Sequence, residues 1–113
     1  MNYQEFDQFI RDVSQEIFDE CDKDMDRAHD LSFERANDCE YVIYYSKAWE
    51  LCDYFRFNHY DQYSEAEYTV EELGGFQNYR TVDALMCQMA SCIVLDAVRE
   101  ALDTLAHQEG VTA

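Results

Sequence analysis

The side chains best suited to chemistry in this sequence are carboxylates, and they cluster. Asp12, Glu16, Asp19, Glu20, Asp22, Asp24 and Asp26 form one group near the start. Asp61, Glu65, Glu67, Glu71 and Glu72 form a second, with no lysine or arginine between them and with Tyr60, Tyr63 and Tyr68 alongside. Carboxylates gather cations, either a divalent metal held by several oxygens or the lysine and arginine side chains of another protein. Tyrosine brings an apolar ring with a polar tip, is enriched at interfaces, and offers a face on which arginine stacks.

Metal and catalytic chemistry find little else to use. Asp26 with His29 and Asp103 with His107 have helical spacing, but neither repeats as the Glu-x-x-His pair of a di-iron bundle. Glu16, Asp19 and Glu20 with Glu50 and Asp53 hint at the paired acid motifs that hold magnesium in all-helical nucleotide pyrophosphohydrolases. The first segment has no lysine or arginine set to receive a phosphate. No serine–histidine–aspartate or cysteine–histidine arrangement can be argued, and no glycine-rich phosphate loop exists. The expectation is a non-catalytic protein without metal or cofactor.

Net charge points the same way. Twenty-five acids face eight lysines and arginines, for a formal charge of −17. Solubility of a small domain needs only about 2 to 8 units, and the excess repels itself in the compact state. Such a charge disfavours direct binding of nucleic acid or of an anionic membrane. It favours a basic partner. Residues 1–30 hold ten acids against three bases, and residues 61–75 hold five against none.

The elements that must carry these groups are helical. Proline is absent and glycine occurs three times, which suits long helices with few breaks. From Tyr3 to His29, Phe6, Phe9, Ile10, Val13, Ile17, Cys21, Met25 and Ala28 recur at three and four residues, one face of a helix. A break is expected near Asp30 to Ser32. A second helix is expected from about Asp38 to Phe57, with Val42, Ile43, Trp49, Cys52 and Phe55 inward. Tyr41 to Tyr45 also has strand character, but Lys47 to Leu51 continues the helical period. Asn58 to Tyr63 reads as a loop. Ser64 and Glu67 match a capping box opening a short helix that Leu73-Gly74-Gly75 closes. The last helix runs from a Thr81 cap to about His107, apolar on nearly every side around Leu85 to Leu95, with Gly110 just beyond. These readings predict an all-α fold: one acidic domain over residues 1–113, a single bundle of three long helices and one short helix.

With 48% hydrophobic residues the chain can bury a core. The five cysteines are odd in number and contain no CxxC, which indicates free thiols in a reducing cytosol. The N-terminus lacks the basic start and apolar run of a signal peptide. The stretch Ala84 to Val98 is too short and too polar to span a membrane. A cytoplasmic location follows as the expectation.

On this plan the first cluster lies on the outer face of helix 1. Asp12 with Glu16, Glu16 with Glu20, and Asp22 with Asp26 are like-charge pairs that each cost a few tenths of a kcal/mol. Asp22, Asp24 and Asp26 would also oppose the dipole near the helix's C-terminal end. A partner's cations would offset both. Four helical residues rise about 6 Å, against about 3.4 Å per phosphate along one DNA strand. A carboxylate row is thus a sparse phosphate row.

In length, acidity, helix content and lack of motifs, the whole chain resembles the small phage and mobile-element proteins that block host defence by imitating DNA, the anti-restriction and anti-CRISPR proteins. The segment His29 to Leu51, with Val42-Ile43-Tyr44 and Ala48-Trp49-Glu50-Leu51, is similar to small phage reading frames. The resemblance implies an inhibitor acting in the cytoplasm of a host bacterium. Its partner would be a CRISPR effector or restriction enzyme with a lysine- and arginine-lined channel. The resemblance transfers no residue; on the charge pattern, both acidic clusters with Tyr60 and Tyr63 would make the contact. The alternatives are a small magnesium-dependent nucleotide pyrophosphohydrolase and a phage structural or assembly protein, a homodimer through the tyrosine-rich second helix.

Overall fold

The computed structural model of the chain describes residues 3–37, 48–72 and 82–110, and every regular element among them is an α-helix. There are five: α1 (Tyr3–Glu20), α2 (Met25–Asn37), α3 (Ala48–Asn58), α4 (Tyr60–Glu72) and α5 (Val82–Gln108). The all-α class agrees with the sequence, but three long helices and one short helix do not describe it. The chain divides into two compact units, residues 1–40 with 94–113 and residues 41–93, with α5 contributing to both.

In the first unit, α1 buries Phe6, Ile10, Ser14, Ile17 and Phe18. The serine is tolerated because its hydroxyl donates to the Ile10 carbonyl at 2.7 Å and the Arg11 carbonyl at 3.1 Å. α2 adds Met25, Ala28 and Ser32, and α5 adds Val94, Val98, Leu102 and Ala106. Full burial of one large aliphatic side chain such as Ile17 is worth about 1.5–3 kcal/mol.

The long first helix expected from Tyr3 to His29 is broken after Glu20. The Lys23 amide donates to the Phe18 carbonyl at 3.2 Å and the Asp22 amide to the Asp19 carbonyl at 3.1 Å. This pair of bonds closes a helix C-terminus, and its turn residue normally is glycine because it adopts positive φ. Here Asp22 (φ 53°) and Lys23 (φ 64°) occupy that region. Asp24 then caps α2: its carboxylate accepts the Arg27 amide at 3.3 Å, and its carbonyl accepts the Ala28 amide at 2.9 Å. The expected break at Asp30 to Ser32 does not occur, and those residues lie within α2.

In the second unit, α3 buries Ala48, Leu51, Cys52 and Phe55, and α4 buries Ala66 and Val70. Trp49, expected inward, is 49% exposed. The buried set repeats at 48, 51, 52 and 55, and Trp49 falls about 100° away from Ala48 around the helix. Asn58 to Tyr63 is not a loop. His59 is the one residue between α3 and α4. Its amide donates to the Phe55 carbonyl at 2.8 Å, and its carbonyl accepts the Tyr63 amide at 3.2 Å. Helical bonding therefore passes almost unbroken across the junction. Ser64 and Glu67 lie inside α4 and open no helix there. The His59 ring lies 5.7 Å from Tyr54 and 5.2 Å from Phe55, which packs the junction.

α5 is buried at every residue from Met89 to Val94, the all-round apolar character read from the sequence. It ends at Gln108, and Gly110 follows with φ 71°. Cys21, Cys52, Cys87 and Cys92 are free thiols. Cys52 donates to the Met86 carbonyl at 3.6 Å, and burial, then the nearby Asp53 charge, pushes its thiol up to about 12. Burial also pushes the Cys21 thiol up. No helix among the described residues is long and apolar enough to cross a membrane. The strand-or-helix choice at Tyr41 to Tyr45, the Thr81 cap and the Gly74-Gly75 stop lie outside the described residues.

Candidate partner-binding surfaces

The first acidic cluster does not share one helix. Asp12, Glu16, Asp19 and Glu20 are exposed on α1, Asp22 lies in the turn, Asp24 is the cap of α2, and Asp26 is in its first turn. Asp22 and Asp26 are thus no helical pair. Asp24 and Asp26 sit where the α2 dipole favours negative charge, which reverses the expected electrostatic penalty.

Most of the cluster has local partners. Arg35, near the end of α2, reaches back to Glu20 and lies 3.9 Å from Glu16. Gln8 donates to Asp12 at 2.8 Å and Gln15 to Asp19 at 2.9 Å. Elsewhere in the unit Arg11 pairs with Asp7 at 3.0 Å, Lys23 with Glu109 at 3.2 Å, and His29 with Asp103 at 2.9 Å. Much of this acidity is spent on capping and on tying helices together.

The second cluster is arranged differently. Tyr60, Asp61, Tyr63, Glu65, Glu67, Glu71 and Glu72 all lie on α4, including the three residues expected in a loop. Asp61, Glu65, Tyr68 and Glu72 follow at four, three and four residues, one continuous stripe, and all four are exposed. None of the five acids has an ion-pair partner among the described residues. The helix contains no lysine or arginine, and its last turn holds Glu71 and Glu72 against the dipole. By contrast α2 and α3 each carry an arginine in the last turn, Arg35 and Arg56.

Aromatic surface accompanies these acids. Tyr60 is 60% exposed and Tyr68 66%, and on α3 Phe57 reaches 78%. Tyr63 is half-buried, its ring 6.3 Å from that of Tyr60. Burial, then the Glu67 charge, holds its hydroxyl above the usual tyrosine range. The sequence reading named Tyr60 and Tyr63 as contacts. Tyr68, which the sequence also sets beside this cluster, and Phe57 are the more exposed rings.

Among the described residues, no three acids, histidines or cysteines come together as a set able to hold a metal ion. Glu16 and Glu20, two of the acids considered for magnesium, are taken up by Arg35. No family model, curated protein or solved structure matches the chain.

Proposed function

We propose that this chain is a non-catalytic inhibitor that binds a basic, nucleic-acid-handling protein of a bacterial host and blocks its channel, with α4 as the contact surface. The observation that carries this reading is the exposed acidic and aromatic stripe Asp61, Glu65, Tyr68 and Glu72, which has no ion pair among the described residues. Exposed acids with no ion-pair partner among the described residues, spaced as like-charge neighbours and ending with Glu72 against the helix dipole, cost stability. A partner's lysines and arginines would offset that cost. From Asp61 to Glu72 the helix rises about 16 Å, the length of about five phosphate steps along one DNA strand. The tyrosines give arginine a face to stack on and supply the apolar contact that charge alone lacks. A CRISPR effector or a restriction enzyme has the required channel, and action there would place the protein in the host cytoplasm.

The test is affinity capture from bacterial lysate on the immobilised chain at low and high salt, followed by binding measurements on the recovered protein. The expected result is a nucleic-acid-handling protein held at low salt, released at high salt, and displaced by duplex DNA. The triple substitution Asp61→Lys, Glu65→Lys, Glu72→Lys should abolish that binding. Retention of full affinity by a folded triple variant would remove α4 from the interface. A captured protein indifferent to DNA would overturn the channel-blocking reading.

A further inference from the structure

The first unit contains a groove that no acid cluster explains. It has a volume of about 530 Å³ and lies between α1 and the C-terminal half of α5. α1 borders it at Tyr3, Asp7, Ile10 and Ser14, and α5 at Ala97, Ala101, Thr104 and Gln108. On both helices the spacing is four, three, four. That is the repeat by which a helix presents a seam to another helix. Each seam spans about 16 Å, about three helical turns.

The lining suits a helix in chemistry as well as in length. Ala97, Ala101 and Ser14 are small, so a backbone can approach to the 8–10 Å at which helices pack. Phe6 and Ile10 supply apolar wall and are themselves buried, while Tyr3 at the mouth is 46% exposed. The charged groups in the groove are Asp7, Arg11 and Glu100. Arg11 is neutralised by Asp7 at 3.0 Å, which leaves Glu100 as the net charge. The surrounding unit has seventeen acids against five lysines and arginines. A second copy of the chain would carry the same charge and be repelled.

From this groove we infer that the first unit is a docking site for a cationic amphipathic helix of a partner protein, of about three to four turns, lying between α1 and α5. Its apolar residues would enter the groove at i, i+3/i+4 and i+7, and its lysines or arginines would flank Glu100 and the acids of α1. This goes beyond the α4 surface and does not depend on it.

The probe is a synthetic peptide of about fourteen residues, with leucines at helical spacing and lysines elsewhere. Two controls accompany it: the same residues scrambled to abolish the apolar face, and the same leucines with glutamate for lysine. Binding is measured by titration calorimetry and located by NMR amide shifts. The leucine–lysine helix should bind, with shifts confined to α1 and the second half of α5. Both controls should bind at least about tenfold more weakly. Ala101→Leu fills the floor, and Thr104→Trp blocks the mouth from an exposed position that leaves the core intact. Each should lower affinity about tenfold or more, while the α4 triple variant binds the peptide as the parent does. The inference is overturned if the scrambled peptide binds equally well, if both folded groove variants retain affinity, or if the free protein proves a dimer that Thr104→Trp dissociates.

Discussion

The turn at Asp22 allows a test with a sign. Asp22 holds φ 53° after the last residue of α1, where a β-carbon costs about 1–2 kcal/mol relative to glycine. Asp22→Gly removes that cost, but loosens the unfolded chain by about 0.4–1 kcal/mol. Asp22→Ala keeps the β-carbon and removes the same carboxylate. Subtracting one variant from the other cancels the charge effect, which matters in a chain of −17. Glycine should then be more stable than alanine by about 1 kcal/mol. In an unbroken helix through this position the order reverses, with alanine better by about 1 kcal/mol. The two architectures differ by about 2 kcal/mol, or about 8 °C in melting temperature at roughly 4 °C per kcal/mol. Thermal and urea unfolding followed by circular dichroism measure it directly. An Asp22→Ala protein that melts above Asp22→Gly would refute the break between α1 and α2, and with it the assignment of Asp24 as a cap.

Other consequences follow from the same contacts. Asp24→Ala should cost about 1 kcal/mol by urea unfolding, while Asp24→Asn, still able to accept the Arg27 amide, loses little. Arg35 has a side chain only 17% exposed and serves both Glu16 and Glu20. Arg35→Met, which keeps the alkyl packing, should cost about 1 kcal/mol at low salt and less at high salt. The Cys52 thiol is raised from 9.0 to about 12 in the folded chain. A raised acid binds its proton more tightly when folded, so its contribution is intact below pH 9 and is lost as pH rises toward 12. The slope from this group is at most about 1.4 kcal/mol per pH unit. Cys52→Ala should flatten the pH dependence of unfolding between pH 9 and 11, with Cys21 and Tyr63 leaving a smaller slope of the same sign. An unchanged slope would mean the thiol is not buried as described.

What was legible in the sequence was periodicity, and what was not was punctuation. Phe6, Ile10, Ile17, Cys21, Met25 and Ala28 are all buried as their spacing predicts. They continue in step across the turn, so the pattern alone gives one helix where there are two. A glycine at position 22 would have announced the break, but aspartate fills that role at a conformational cost. The opposite error arose at Asn58 to Tyr63, a polar and aromatic stretch that reads as a loop. With neither proline nor glycine there, nothing stops helical bonding through His59. Helical phase misplaced Trp49, because tryptophan's bulk suggests a core site and its angle does not. The candidate site shows the same division. Spacing placed the acids of the second cluster near one another, but only the extension of α4 to Tyr60 puts all five on one helix with Tyr68 between them. The ties of Arg35 to Glu16 and Glu20 are tertiary and leave no trace in local sequence.

These placements shift the functional argument from α1 to α4 and give it a double readout. Acids held for structure and acids held for a partner respond oppositely to replacement. Reversing Asp24 or Glu20 removes a cap or an ion pair and should destabilise the fold. Glu71 and Glu72 have no ion pair among the described residues and sit in the last turn of a helix without a base. Glu71→Lys and Glu72→Lys should each stabilise by about 0.3–1 kcal/mol, because they turn a dipole penalty into a dipole gain and lower the self-repulsion. If α4 is the contact surface, these stabilising changes also weaken partner binding. A solvated acidic face with no task predicts the stability gain with no loss of binding. Two lysine variants, one melting curve and one binding curve therefore separate the readings, and a stabilised variant that binds undiminished would return α4 to the solvent.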